Sequence, residues 1–440
     1  MSDKRMLKEL GIASVDELFS DIPPSVRTEG LPLPPGKSEL EVVQEIRAML
    51  SSNITAADHP CFMGGGIYNR FIPSAVTAII SRSEFVTSYT PYQAEISQGM
   101  LQALFEYQSY IAELTGMEVV NSSNYDAATA LGEAATMCHR VNKRKKFIIP
   151  QAINFDKRST LNNYVKGAGM EVQEYAYDPY TGEIDLDDLR KRVDDEVSGI
   201  YVEVPNFLGI MDRQITELKE EFKDPLLVVG VDPISLGMLK APGDYNADIV
   251  IGEGQSLGSP MNFGGPLLGL FGCRQEYVRK MPGRVVGMTQ DLEGKRAFCL
   301  TLQTREQHIR RSKATSNICT NETLMAVAAA VYLAIVGRDG LRAVAQASMT
   351  NARKLRNALS GINGVDCPVL DAPFFNEVLA RVPIRPEKLS RVLLRKGIIG
   401  GLPLARHVPE MGDCMLFAAT ELTTDQDILQ LTTALEEVLI

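Results

Sequence analysis

The sequence predicts an α/β protein: a large, doubly wound, mixed but mostly parallel sheet domain, followed by a small C-terminal α+β domain. Two observations lead there. Short β-branched runs alternate with helical patterns from about residue 97 to 285, which implies parallel strands joined by crossover helices. Beyond residue 300 the order changes to two successive helical stretches and then two strand–helix pairs, too few for another large sheet. The expected divisions are an N-terminal helical arm and interface segment over residues 1–95, the large domain over 96–330 and the small domain over 331–440.

Taken in order, the arm carries DELFSDIP (16–23) and SELEVVQEIRAMLSS (38–52), both with helical spacing, joined by the Pro/Gly-rich GLPLPPGK (30–37). The glycines of CFMGGGIYNRFIP (61–73) lack a strand–GxGxxG–helix setting, so they are read as a turn where backbones approach closely. QGMLQALFEYQSYIAELTG (98–116) has apolar residues three and four apart and a terminal glycine, the signature of a helix. The alternation follows: strand EVVNSS, helix DAATALGEAATMCHRVNK, strand KFIIP, helix STLNNYVKGAG, strand VQEYAY, helix DLDDLRKRV, strand GIYVEVP, helix TELKEEFK, then strands PLLVVGVD, ADIVIGE and PLLGLFG. The last part holds GLRAVAQASMTNARKLRNALSG as helix, NEVLARVP and MLFAAT as strands, and PEKLSRVLLRKG and QDILQLTTALEEVL as helices.

Composition narrows the function. Of 440 residues 45% are apolar, enough for real cores, and the net charge is -10. A phosphate backbone wants a basic face, so nucleic acid is not an expected partner. The basic run RVNKRKK (140–146) is read as a helix C-terminus, where cations suit the macrodipole. The seven cysteines include no CxxC pair, which argues against a disulfide framework or a zinc site and suits a reducing cytoplasm. No secretory signal is visible at the N-terminus, and LMAVAAAVYLAIV (324–336) falls short of the roughly 20 residues of a membrane span. It reads as a buried helix, and no membrane partner is expected.

A large α/β domain followed by a small one is the plan of fold-type-I pyridoxal phosphate (PLP) enzymes, although other α/β enzymes share it. A PLP pocket needs a carboxylate for the pyridine nitrogen, a helix N-terminus for the phosphate and a lysine for the imine. Asp232, closing PLLVVGVD, is placed either as the pyridine partner or as a turn cap ahead of Pro233. At the helix start that would cradle phosphate stands Asp126, an expected N-cap whose carboxylate competes for the same donors, next to the bulk of Tyr125. From Ala241 to Cys273 there is no lysine, and the turn in IVIGEGQSLGSPMNFGGP (249–266) offers Gln255 and Ser256 instead. Asp126, Asp232 and Gln255 therefore outline a vestigial cofactor pocket. His139 and His308 are read as structural.

Four stretches, GGGIYNRFIP (64–73), YTPYQAEISQG (89–99), GEGQSLGSPMNFGGP (252–266) and RRSKATSNICT (310–320), carry a resemblance across most of the chain. The sequence resembles the P-protein family of the glycine cleavage system, and within it the first subunit of the two-subunit glycine decarboxylases. Ser312 is a small departure, at a position where the family more often has an acidic residue.

The resemblance implies two homologous chains, one with the PLP lysine and one without. Gln255, counted back from GGP, or Ser256, counted forward from PGD, takes the lysine position. It further implies that glycine loses its carboxylate as carbon dioxide and that the aminomethyl carbon passes to the lipoyl group of H-protein. PLP is then bound by subunit 2, none covalently by this chain, and the chains pair as a heterodimer, doubled to α2β2. Tyr89, Thr90, Tyr92, Gln93 and Glu95 are expected to line the partner's glycine site, and Thr315, Ser316 and Asn317 to lie near the partner's PLP phosphate. The competing readings are a self-sufficient PLP decarboxylase or aminotransferase, with Lys313 as the lysine closest to a suspected site, and a purely structural scaffold.

Overall fold

The structure, a computed structural model, describes residues 2–28 and 30–439. The chain forms two compact units, divided after Asn53. In the first, helices run over Ser2–Leu10 and Glu39–Leu50. A capping box starts the second: Ser38 accepts from the Glu41 amide while the Glu41 carboxylate accepts from the Ser38 amide. Along it Val43, Ile46 and Leu50, three and four residues apart, are exposed. Residues 54–95, expected with this arm, belong to the larger unit.

The larger unit is built on a seven-stranded sheet. Its strands are β1 (Val119–Val120), β2 (Lys146–Pro150), β3 (Glu171–Tyr175), β4 (Val197–Val204), β5 (Leu226–Val231), β6 (Ile249–Glu253) and β7 (Gly269–Cys273). Their spatial order is β1-β7-β6-β5-β4-β2-β3. β2 to β6 run parallel, and β7 lies antiparallel between β6 and β1. β5 shows why the run LLVVGV suits this place. Leu226 and Val228 enter one core cluster while Leu227 and Val229 enter the other, so side chains that alternate along the strand are apolar on both faces. The Ala127–Asn142 helix packs in the cluster of Leu226 and Val228, and the Gln98–Thr115 helix in that of Leu227 and Val229. The first helix ends at Lys143 in a left-handed cap, so Arg140 alone of the basic run lies in its last turn and Lys146 opens β2.

TELKEEFK, expected as a helix, forms only a 3-10 turn and the four residues Leu218–Glu221. The two helical stretches expected after residue 323 are one element, Thr323–Ser360, broken at Gly337 (φ 59, ψ -169), a conformation open to glycine alone. It crosses the expected domain boundary at 330/331 without a loop. It is also the one helix among the described residues long and apolar enough to cross a membrane, yet its first half, Met325 to Leu333, is largely buried in the core. The C-terminal part forms a three-stranded antiparallel sheet, Glu377–Arg381, Cys414–Ala418 and Leu402–Pro403, covered by the Pro386–Arg395 and Asp425–Leu439 helices.

Candidate functional site

In an open α/β sheet, ligands bind beyond the carboxyl ends of the strands. There the Ala127–Asn142 helix begins, β4 to β6 end, and residues 64–68 close over the top. Gly64 is required by that closure, since a Cβ would sit 2.4 Å from the Glu377 carboxylate. The space enclosed is about 60 Å³, lined among others by Tyr68, Ala127, Lys157, Glu203, Asp232, Glu253 and Glu377. Small-molecule pockets are typically roughly 300–1,000 Å³.

The protein's own side chains take up the polar groups around this space. At the helix N-terminus Asp126 accepts from the Thr129 amide at 2.7 Å, as expected of an N-cap. Glu253, at the end of β6, accepts from the amides of Ala127 (3.1 Å), Gln255 (3.0 Å) and Leu268 (3.0 Å). Two carboxylates thus take up first-turn donors that a phosphate would need, and their charge repels a dianion. Burial raises the Glu253 carboxyl to about 7, against the three amides that favour its charge.

Asp232 meets the turn-cap reading. It caps a turn by accepting from the Ile234 amide at 2.9 Å, and it faces Arg70, 3.6 Å away. The buried Arg70 guanidinium also reaches Glu421 at 2.8 Å and Ser348 at 3.0 Å and lies over the Tyr68 ring. The guanidinium charge already balances this carboxylate, although Asp232 Oδ2 makes no hydrogen bond. Burial raises the Asp232 carboxyl, and the Arg70 charge opposes that rise.

Of the two residues expected at the lysine position, Gln255 is 1% exposed. Its carbonyl accepts from the Tyr68 amide, and its NH2 donates to the carbonyls of Tyr68 (3.2 Å) and Ser259 (2.6 Å). It is a clamp between two loops, and Ser256 beside it is buried too. The cavity lining does include one lysine, Lys157, whose ammonium is paired with Glu203. The residues present do not fit PLP in this pocket.

A second region has the opposite character. Tyr89 is 77% exposed and Tyr92 47%, with Gln93 and Glu95 also exposed and Thr90 half-buried. Behind them lies Arg284, 6% exposed, which the sequence did not single out. It donates to Tyr92 Oη (2.8 Å), Thr90 Oγ1 (3.3 Å), Asn321 Oδ1 (3.1 Å) and the Cys319 carbonyl (2.6 Å). Through Arg284 the structure joins two of the four signature stretches, 89–99 and 310–320. A small cavity of about 20 Å³ beside it is lined by Arg305, Thr315 and Ser316 among others. Ser316 donates to the buried Glu133, whose carboxyl burial raises, while Asn317 is exposed. His308 meets Tyr92 edge-on and sits 3.6 Å from Glu306, and His139 Nδ1 bonds the Arg144 carbonyl. Lys313 is exposed.

The model of the glycine cleavage system P-protein matches residues 1–435. The chain belongs to the glycine cleavage system P-protein family. A Pyrococcus abyssi protein named probable glycine dehydrogenase (decarboxylating) subunit 1 is 48% identical over 442 residues, covering 99% of this chain and 97% of its own. The crystal structure of a glycine decarboxylase (P-protein), in inhibitor-bound form, superposes with a TM-score of 0.91 at 42% identity, over 99% of this chain and 98% of that one. A cysteine desulfurase from Thermococcus onnurineus, 16% identical with a TM-score of 0.64 over 90% of this chain and 98% of its own, shares the fold alone. The fold is that of PLP-dependent enzymes of type I, and the chain is a subunit of the glycine-decarboxylating P-protein, in a system that uses PLP.

Proposed function

We propose that this chain is the P-protein subunit that holds no PLP of its own and is active only beside a second, lysine-bearing subunit, as an α2β2 assembly in the cytoplasm. The observation that carries this reading is the occupied pocket: Asp126 and Glu253 on the phosphate donors, Arg70 on Asp232, and the Gln255 amide where an amine is needed. Chemistry that requires PLP then takes place in the partner, which decarboxylates glycine and delivers the aminomethyl group to lipoyl H-protein. This chain completes that site with Tyr89, Thr90, Tyr92, Gln93 and Glu95, and with Thr315, Ser316 and Asn317 towards the partner's PLP phosphate. The exposure of Tyr89, Tyr92 and Glu95 and the anchoring of Tyr92 and Thr90 on Arg284 support the assignment.

The test is reconstitution with subunit 2. The chain alone, given PLP, forms no yellow species that borohydride can trap, because an imine needs a free primary amine. In the complex, Y89F and E95Q each lower glycine turnover by about tenfold or more, the scale on which positioned polar groups act. A trapped adduct on this chain, or full turnover by both variants, overturns the proposal.

A further inference from the structure

The guanidinium of Arg284 decides what Thr90 and Tyr92 can offer to a ligand. Arginine has donors and no acceptor, so both hydroxyl oxygens must accept from it, Tyr92 at 2.8 Å and Thr90 at 3.3 Å. Their own hydrogens therefore point away from Arg284. Neither hydroxyl donates to an acceptor among the described residues, and half of the Tyr92 side chain is open to solvent. The result is a pair of unspent O–H donors backed by one buried cation. That cation is itself weakly neutralised, since Glu306 stands 4.0 Å away and Nε has no hydrogen-bond partner. Donors polarised by a positive charge favour an acceptor-only anion, and a pair of them matches the two oxygens of a carboxylate.

We propose that the hydroxyls of Thr90 and Tyr92, fixed as donors by Arg284, bind the carboxylate of glycine held in the partner subunit's pocket. This rests on the reading that the 89–95 segment lines that pocket. Tyr92 and Thr90 are then the contacting groups, and Arg284 is a positioning residue. The arrangement also suits the reaction. In a decarboxylation the carboxylate leaves as neutral carbon dioxide and the electron pair of the broken C–C bond stays with the methylene carbon, where PLP held by the partner would supply the electron sink. Charge drains from the carboxylate on the way to the transition state, so a direct salt bridge would hold the ground state back. Two neutral donors, with the cation one bond behind them, orient the group while gripping it less tightly.

Equilibrium dialysis on the reconstituted complex tests this, with glycine and methylamine as the paired probes, alike in their amine and different in the carboxylate. Y92F and T90V each weaken glycine about fivefold, the usual scale of one neutral hydrogen bond, and leave methylamine unchanged. R284M weakens glycine at least as much, and R284K recovers part of the loss. Equal weakening of both probes reveals a merely structural role and overturns the proposal, as does unchanged glycine binding. The two hydroxyl deletions are at the surface and keep the test valid should R284M fail to fold. If Y89F and E95Q lower turnover while the glycine-to-methylamine ratio stays constant in Y92F, T90V and R284M, only this inference fails. If all of these variants are silent, the trans-lining assignment fails with it.

Discussion

The pocket at the strand ends and the shelf at residues 89–95 are both rich in polar groups, and they spend them in opposite ways. In the pocket, Asp126, Glu253 and Gln255 are satisfied within the chain by helix amides and loop backbone, while Asp232 Oδ2 faces the Arg70 guanidinium at 3.6 Å without a hydrogen bond. On the shelf, Arg284 works from behind and leaves hydroxyls, an amide and a carboxylate facing outward. A site whose groups are already paired has little left with which to bind. A surface whose groups are anchored on one side and unspent on the other is made for a ligand or another chain. The contrast separates ancestry from present work: the first region keeps the fold of a cofactor site, and the second carries the function proposed here.

The contrast can be broken at the pocket. The largest effect is expected from R70M. Removing the guanidinium leaves Asp232 and Glu421 buried without their cation, at a cost of about 3–5 kcal/mol, read as a large fall in the chemical-denaturation midpoint. Stability unchanged by R70M would show that the pocket is not held shut in this way. Next is Q255K, which restores an amine at the old lysine position. It removes three hydrogen bonds and buries an ammonium, costing about 2–4 kcal/mol, and PLP still fails to bind. A Q255K chain that took up PLP would break the comparison outright.

The smallest effect sharpens it. Burial raises Glu377 from an ordinary 4.5 to about 7. The folded state therefore binds a proton that the unfolded state has released between those values, and stability falls as pH rises through that window. Glu253 has the same sign. E377Q keeps an acceptor for the Gly65 amide, which now donates to Glu377 at 2.6 Å, and removes the titration. The Tm of the isolated chain should decline from about pH 5 to pH 7 and do so less steeply in E377Q.

Much of this was legible in the sequence because it depends on local pattern. Strand and helix alternation gave the sheet, and Asp126 announced itself as an N-cap. Glu253 could have been read as well: in IVIGE it shares a strand face with Ile249 and Ile251, which pack towards the Ala127–Asn142 helix. Arg70 and Arg284 had no such signal. Each acts through partners far away in sequence, Arg70 at Asp232 and Glu421, Arg284 at Thr90, Tyr92 and Asn321. TELKEEFK failed for the opposite reason, since helical spacing over eight residues is too short to hold a helix without packing to support it.

The Gln255 clamp has a consequence for the history of the chain. Once an amide ties the 64–68 loop to the 255–259 turn, a lone reversion to lysine meets two carboxylates at the helix end and a guanidinium on Asp232, all opposed to the cofactor. Each step back is unfavourable until the others have been taken. On the function proposed here, a cofactor-free pocket is then held in place by its own packing, and the chain's activity is tied to a partner.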